Sequence, residues 1–274
     1  STPSTSDSHV ASGEAVTFNP AQLPLTVKAI AVADGLLNSS VASLTISNDG
    51  MSGSGTPADP YQIALDSDYS KFVTKVTGGE ASACYIVTSN IDASGASVIT
   101  TPFTGTFDGN GYTISNLGHA LFNTVSGGTV KNVFLDAVGI SSGTNVGSIA
   151  NEAIGTSANK ASIYNCGVLS GSISGSGYVG SIVGKLGDDS NNDNSYARVI
   201  NCYSYATIGG GSSVGGIVGY NSFASAANNL RTMVMNCMFY GKITGGSNKA
   251  PIYNGQNITN VGTNGLANYN YYFS

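Results

Sequence analysis

The chain has 274 residues, of which only 9% are charged and 41% are hydrophobic, and its formal net charge is −5. A disordered chain would combine few apolar residues with a high net charge, so this composition indicates a folded protein. The 10 basic residues form no cluster, which argues against a nucleic-acid partner, and no apolar run approaches the roughly 18 residues that cross a membrane.

The first 50 residues are predicted to form a linker and a partial β module. Residues 1–13 are rich in serine and threonine and are interpreted as a linker. Within 14–50, alternating apolar residues predict strands over 25–32 and 41–46 that are joined by a turn at Asp34-Gly35. The run TVKAIAVADGLLNSSVASLTI resembles the last strands of the immunoglobulin-like C-terminal module of chitobiases and β-hexosaminidases. Either 14–50 is the tail of such a module, or its strands pack on the neighbouring domain.

The domain over 51–274 is predicted to begin with a helix that covers the end of a solenoid. Asp66 or Ser67 can cap the helix, and Gly78-Gly79 supply its stop. Solenoids need their first coil covered, because its core and strand edges would otherwise be exposed. The apolar face of the helix follows the helical spacing of Leu65, Tyr69, Phe72, Val73 and Val76.

Four copies of one block follow, and each contains an asparagine as its pivot. The pivot asparagines at 132, 165, 201 and 236 are 33, 36 and 35 residues apart. A period of this length, in strand-forming residues broken by glycine, indicates an all-β solenoid. The asparagines are expected to stack as an amide ladder and the cysteines as a buried column; these structural residues are Asn132, Asn165, Asn201, Asn236, Cys166, Cys202 and Cys237.

Several sequence blocks resemble GLUG-repeat proteins: PADPYQI, FTGTFDGNGYTISNL, VGSIA, VGSIVG and VGGIVG. GLUG repeats occur in bacterial surface adhesins and ahead of the catalytic part of immunoglobulin-A-cleaving metallopeptidases. The resemblance covers roughly residues 53–260 and implies a right-handed parallel β-helix on an extracellular bacterial cell-surface protein. The His-Glu-x-x-His motif of those peptidases is absent from the sequence, so their activity is not implied.

Aligned tyrosines are the predicted ligand-binding residues. Tyr205 and Tyr240 occupy the same position in adjacent coils, and Tyr203 and Tyr220 are close to them in sequence. A tyrosine ring can cover the apolar face of a sugar while its hydroxyl bonds the sugar's edge. The prediction is therefore a non-catalytic adhesin or scaffold that binds a glycan or a host surface protein, as a monomeric fragment of a larger multidomain protein. The alternative for the tyrosines is that they only continue a packed column.

Two further hypotheses concern the acidic residues. Asp189, Asn191 and Asp193 have the alternating spacing that begins a calcium loop, but the glycine and the final carboxylate of that motif are missing. No cofactor is predicted, with calcium in this loop as the alternative. The competing function is a carbohydrate-active enzyme, which would need two convergent carboxylates about 5–10 Å apart, and a passive spacer is the third. The candidate acids are Asp92, Asp108, Asp136 and Glu152.

Overall fold

A computed structural model of the chain describes residues 25–31, 39–46, 50–141, 143–188, 196–222, 232–255 and 271–272. The chain divides into two units, 1–51 and 52–274. The first unit contains one antiparallel pair of strands, β1 (Leu25–Ala29) and β2 (Ala42–Ile46). Both strands fall within the predicted ones, and the predicted Asp34-Gly35 turn lies outside the described residues.

The second unit begins with the predicted helix, α1 (Asp66–Lys75). Its start differs from the expectation, because Leu65 is the N-cap and its side chain is 63% exposed. The capping group is Asp68, whose carboxylate accepts hydrogen bonds from the backbone N–H groups of Ala64 (3.1 Å) and Leu65 (3.0 Å). An acid in the first turn also suits the positive end of the helix dipole. The helix continues into a π-helical turn, Val76–Glu80.

Five sheets form the rest of the unit, and every pairing between their strands is parallel. Sheets A and B contain seven strands each, sheets C and D four each, and sheet E five. The prediction of a parallel β-helix with an N-terminal helix is confirmed.

The strands are numbered in chain order. Sheet A contains β3 (Tyr61–Ile63), β4 (Cys84–Val87), β6 (Thr106–Asp108), β9 (Thr129–Lys131), β14 (Ala161–Tyr164), β19 (Ala197–Ile200) and β24 (Thr232–Met235). Sheet B contains β5 (Ile91–Asp92), β7 (Thr113–Ser115), β10 (Phe134–Asp136), β15 (Gly167–Val168), β20 (Tyr203–Ser204), β25 (Met238–Phe239) and β29 (Tyr271–Tyr272). Sheet C contains β11 (Val138–Ile140), β16 (Gly171–Gly175), β21 (Thr207–Gly210) and β26 (Lys242–Ile243). Sheet D contains β12 (Asn145–Val146), β17 (Tyr178–Gly180), β22 (Ser213–Gly215) and β27 (Asn248–Ala250). Sheet E contains β8 (Phe122–Ser126), β13 (Ala150–Ile154), β18 (Val183–Leu186), β23 (Val218–Asn221) and β28 (Tyr253–Gly255).

The coils come in two lengths. In sheet A, Tyr85 pairs with Phe107 and Phe107 with Val130, so the early coils advance by 22 and 23 residues. Val130 pairs with Ile163 and Ile163 with Val199, so the later coils advance by 33 and 36 residues. The added residues form sheets C and D, which begin only at β11. We call these two kinds the short coils and the long coils.

Glycines let sheets D and E pack backbone against backbone in the long coils. A Cβ on Gly184 would lie 2.4 Å from the backbone nitrogen of Val146, and a Cβ on Gly219 would lie 2.5 Å from that of Val179. Side chains cannot be accommodated at such distances, so the valine-glycine blocks of the sequence mark these contacts. Ile149, which lies within the first of these blocks, is fully buried and belongs to the core.

Candidate functional site

The outer face of sheet B carries a column of large side chains. Parallel pairing aligns Phe134 with Gly167, Gly167 with Tyr203, and Tyr203 with Met238. The Tyr203 ring lies over Gly167, where an added Cβ would be 2.5 Å from a ring carbon. The same ring is 6.0 Å from that of Phe134, centroid to centroid. Partial burial raises the pKa of the Tyr203 hydroxyl.

A second, more exposed column stands beside the first. Leu169, Tyr205 and Tyr240 each follow a strand of sheet B, and they are 36%, 49% and 40% exposed. The rings of Tyr205 and Tyr240 are stacked, with centroids 5.4 Å apart and planes 15° from parallel. Tyr203 meets Tyr205 edge-on at 5.8 Å. We call Tyr203, Tyr205 and Tyr240 the tyrosine face; a tyrosine ring and its hydroxyl can contact an amphipathic ligand such as a sugar.

Tyr220, the fourth predicted ligand residue, lies on sheet E and is not part of the tyrosine face. Its ring stacks on that of Tyr178, with centroids 4.3 Å apart and planes 11° from parallel. Tyr178 opens β17, and Tyr220 lies on β23 in the following coil. Tyr178 is not among the predicted ligand residues, although its place directly before a valine-glycine block could have indicated a role at the corner of sheets D and E.

The pivot asparagines form the corner between sheets A and B. Asn132, Asn165, Asn201 and Asn236 have φ values of 54°, 54°, 54° and 51°, a left-handed conformation that asparagine tolerates better than most residues. Asn201 Nδ2 donates to Asn165 Oδ1 (3.2 Å), and Asn165 Nδ2 donates to Asn132 Oδ1 (3.4 Å). The side-chain amides of these three residues therefore bond from coil to coil.

Two carboxylates, Asp92 and Asp108, accept hydrogen bonds from side-chain amides, and Asp108 ends the asparagine ladder. Asn132 Nδ2 donates to Asp108 Oδ1 (2.9 Å), and on the neighbouring sheet Asn116 Nδ2 donates to Asp92 Oδ1 (3.1 Å). The hydrogen bond from Asn116 lowers the pKa of Asp92. Partial burial raises the pKa of Asp108, but the hydrogen bonds from Asn132 and Asn110 N and the Lys131 ion pair (3.1 Å) outweigh it, and the net pKa is lowered.

The four acids considered for catalysis are spread over three sheets. Asp108 is on sheet A, Glu152 is on sheet E, and Asp92 and Asp136 are on sheet B, where both align with Ser115. Asp92 and Asp136 are therefore two rungs apart, about 10 Å along the ladder. A general acid for sugar hydrolysis needs a raised pKa, whereas the pKa values of Asp92 and Asp108 are lowered.

The three repeat cysteines lie in the core. Cys166, Cys202 and Cys237 are at most 1% exposed, and the pairing of the flanking residues puts them in register. None of them forms a disulfide. Burial and the hydrogen bond with Cys166 raise the pKa of the Cys202 thiol well above its usual value, so this thiol is unreactive.

The described residues offer no evident metal centre. No group of three or more histidine, cysteine, aspartate or glutamate residues that could hold a metal ion occurs among them. The predicted calcium residues Asp189, Asn191 and Asp193 lie outside the described residues, so the calcium hypothesis stays a prediction. Within the described part of the chain, no helix has the length and apolar character to span a membrane.

Comparison with protein families gives a match to the N-terminal region of the M26 IgA1-specific metallo-endopeptidases over residues 79–168. An immunoglobulin A1 protease of Streptococcus sanguinis is 36% identical over 100 residues, which cover 36% of this chain and 5% of that protein. Halomucin of Haloquadratum walsbyi is 30% identical over 161 residues, which cover 50% of this chain and 2% of that protein. The chain thus contains a domain similar to this N-terminal region and spans a small part of each relative's length.

A solved structure shares the fold. The crystal structure of a candidate immunoglobulin A1 protease from Bacteroides ovatus superposes with a TM-score of 0.54 at 21% identity, and the match covers 73% of each chain. At this level of identity the likeness concerns the fold alone.

Proposed function

We propose that the chain is a non-catalytic, extracellular binding module of a larger multidomain protein, and that its tyrosine face binds a glycan, free or carried by a host surface protein. The observation that carries the proposal is the exposed, nearly parallel stack of Tyr205 and Tyr240. Large apolar side chains on a protein surface mark interaction sites when they are grouped. Leu169, Tyr205 and Tyr240 form such a group.

Several observations support the proposed location and domain organisation. The similarity to the N-terminal region of IgA1-specific metallo-endopeptidases and to halomucin supports a secreted or surface-displayed module. We infer that the valine-glycine blocks are GLUG repeats of adhesin type, since they make the close contacts of sheets D and E. The strands β1 and β2 are compatible with the tail of a chitobiase-type immunoglobulin-like module.

The hydrogen bonds and the lowered pKa values of two candidate acids favour a binding role over the enzyme alternative. Asp92 and Asp108 already accept hydrogen bonds from Asn116 and Asn132, and their lowered pKa values keep them charged. Groups held in this way serve the structure and are unsuited to donating a proton.

The test is a glycan array probed with the wild-type protein and with the double variant Tyr205→Ala/Tyr240→Ala. Each ring contributes about 0.5–1.5 kcal/mol of contact, so we expect the double variant to lose about tenfold or more in affinity for any glycan that is bound. Tyr112→Ala is the matched control, because Tyr112 is 37% exposed and lies outside the tyrosine face. A silent array with broad coverage would contradict the proposal and favour a passive spacer.

A further inference from the structure

A shallow depression lies on the outer face of sheet A, beside the asparagine ladder. Its volume is about 350 Å³. It spans two adjacent long coils, and the second of these continues into Tyr203 and Tyr205 of the tyrosine face. The residues whose side chains line it include Ser162, Tyr164, Asn165, Arg198, Ile200 and Asn201.

Arg198 is the charged group of this depression. Its Nε is buried and has no hydrogen-bond partner among the described residues, and Arg198 enters none of the ion pairs found there. A buried donor without an acceptor is unfavourable, so an acceptor brought by a ligand would be favoured. Among the described residues that line the depression there is no carboxylate, and Asp108 of the same sheet is already bound by Lys131 and Asn132.

The other lining groups suit a sugar. Tyr164 and Ile200 supply apolar surface, and each side-chain amide of Asn165 and Asn201 has two N–H donors, of which the ladder uses one. The depression and the tyrosine face lie on either side of the ladder corner. They are close along the chain, because Asn201 precedes Tyr203 by two residues. One extended ligand that bends around this corner would contact both surfaces.

We propose that the depression binds the carboxylate of an acidic sugar, with the Arg198 guanidinium as the carboxylate-binding group. The planar guanidinium can donate two parallel hydrogen bonds to a carboxylate, which a neutral sugar cannot accept in the same way. This inference rests on the proposed glycan-binding function and names its ligand class: carboxylate-bearing glycans.

Two matched pairs of probes test the inference by isothermal titration calorimetry: sialyllactose against lactose, and a glucuronic-acid-containing tetrasaccharide against its carboxyl-reduced form. The expected result is that at least one acidic member binds about tenfold more tightly than its neutral partner, and that Arg198→Met removes this preference while neutral binding is retained. Arg198→Met keeps the apolar stem and so limits loss of packing. Lys249→Met is the control, because Lys249 is an exposed cation on sheet D.

A spectroscopic readout separates direct contact from a change in folding. The sequence contains only two arginines, Arg198 and Arg231, so the Nε–H region of a ¹⁵N NMR spectrum should show two side-chain signals, and Arg198→Met assigns them. The acidic probe should shift the Arg198 signal and leave the other in place.

Equal binding of acidic and neutral partners would overturn the inference and leave the proposed function standing. Binding of neither partner, together with a silent array, would overturn both. A poly-glutamate peptide that displaces the acidic sugars and binds more tightly through Arg198 would overturn the assignment of a sugar ligand.

Discussion

The short coils and the long coils share sheets A and B, yet they are filled in different ways. The short coils lie under α1, and their interior is a cluster of aromatic rings in which Phe72 contacts Tyr85, Phe107 and Phe122 with centroids 4.9–5.9 Å apart. The long coils instead stack branched aliphatic residues in register, such as Val199 on Ile163. The helix therefore covers an irregular aromatic core, whereas each long coil is covered by a copy of itself.

The comparison also shows where surface for binding arises. The added residues of the long coils build sheets C and D, and the tyrosine face and the Arg198 depression lie in that part of the molecule. The short coils carry the carboxylates Asp92, which accepts a hydrogen bond from Asn116, and Asp108, which ends the asparagine ladder. The short coils thus form the first part of the solenoid, and the long coils carry the proposed binding surfaces.

The largest effect should come from the aromatic core of the short coils. Phe72→Ala removes a fully buried ring from the centre of the cluster, and we expect a loss of about 3–5 kcal/mol in the free energy of unfolding. Urea unfolding measures this loss. Leu65→Ala, at the exposed N-cap of the same helix, should change stability by less than about 0.5 kcal/mol. Similar losses in the two variants would show that the ring cluster is not the core of this region.

The close contact of sheets D and E should be the most sensitive feature of the long coils. Gly184→Ala places a Cβ 2.4 Å from Val146 N and 2.7 Å from Asn151 O, and we expect a loss of about 3 kcal/mol. Gly139→Ala is the control, because a Cβ there meets no atom within 4 Å. The two proteins can be compared by thermal unfolding, and a Gly184→Ala protein as stable as the control would contradict the close packing.

The ladder corner should respond according to both backbone and side chain. Asn201→Leu forces a branched residue into φ 54° and removes the bond to Asn165, so we expect a loss of about 2 kcal/mol. Asn201→Gly keeps the backbone conformation and removes only the amide, and it should lose about 1 kcal/mol. Urea unfolding of both variants separates the two contributions; equal losses would mean that the left-handed conformation is not strained.

Acid should weaken the short coils before the long ones. The pKa values of Asp68, Asp92 and Asp108 are lowered in the folded state, so their contribution is present above the ordinary carboxyl pKa and is lost as the pH falls below about 4. Hydrogen exchange at pH 5 and pH 3 should show protection lost first in α1 and the short coils. Asp108→Asn should reduce the pH dependence of stability between these two pH values, because the lowered pKa of Asp108 is one of its causes; an unchanged dependence would show that Asp108 does not contribute to it.

The smallest effect is expected where the chain first enters sheet C. Ala137 has φ 49°, which is strained for alanine. Ala137→Gly should relieve the strain and stabilise the protein by about 0.5 kcal/mol, after the greater entropy of glycine in the unfolded chain is subtracted. Calorimetric melting is the measurement, and a destabilised variant would show that the methyl group contributes more than the strain removes.

Much of the long coils could be predicted from the sequence, because an in-register solenoid repeats the same residue at the same corner. The positions of Asn165 and Asn201 fixed the alignment of Cys166 with Cys202 and of the tyrosines beyond them. The short coils could be predicted less well from the sequence, because their steps of 22 and 23 residues contain no copy of the asparagine-cysteine block. Their core depends on how individual rings fit together, which periodicity does not describe.

The candidate site could be predicted only in part. Periodicity places Tyr205 and Tyr240 in one column, but it does not tell whether a column is exposed, and it did not separate Tyr220 from them. The Arg198 depression had no motif, because a missing partner cannot be read from residue spacing. The role of Asp108 as a ladder end could have been inferred, since it stands 24 residues before Asn132, close to the period of a short coil.

The direction of the amide bonds has a consequence for how such proteins change in length. Each side-chain amide donates a hydrogen bond to the coil before it. The last acceptor is a carboxylate, which has no hydrogen to donate to a further group. A gene duplication that inserts one further long coil after Asp108 would add one donor together with one acceptor and leave no amide unmatched. The solenoid is therefore lengthened most easily in evolution by coils inserted on the C-terminal side of Asp108.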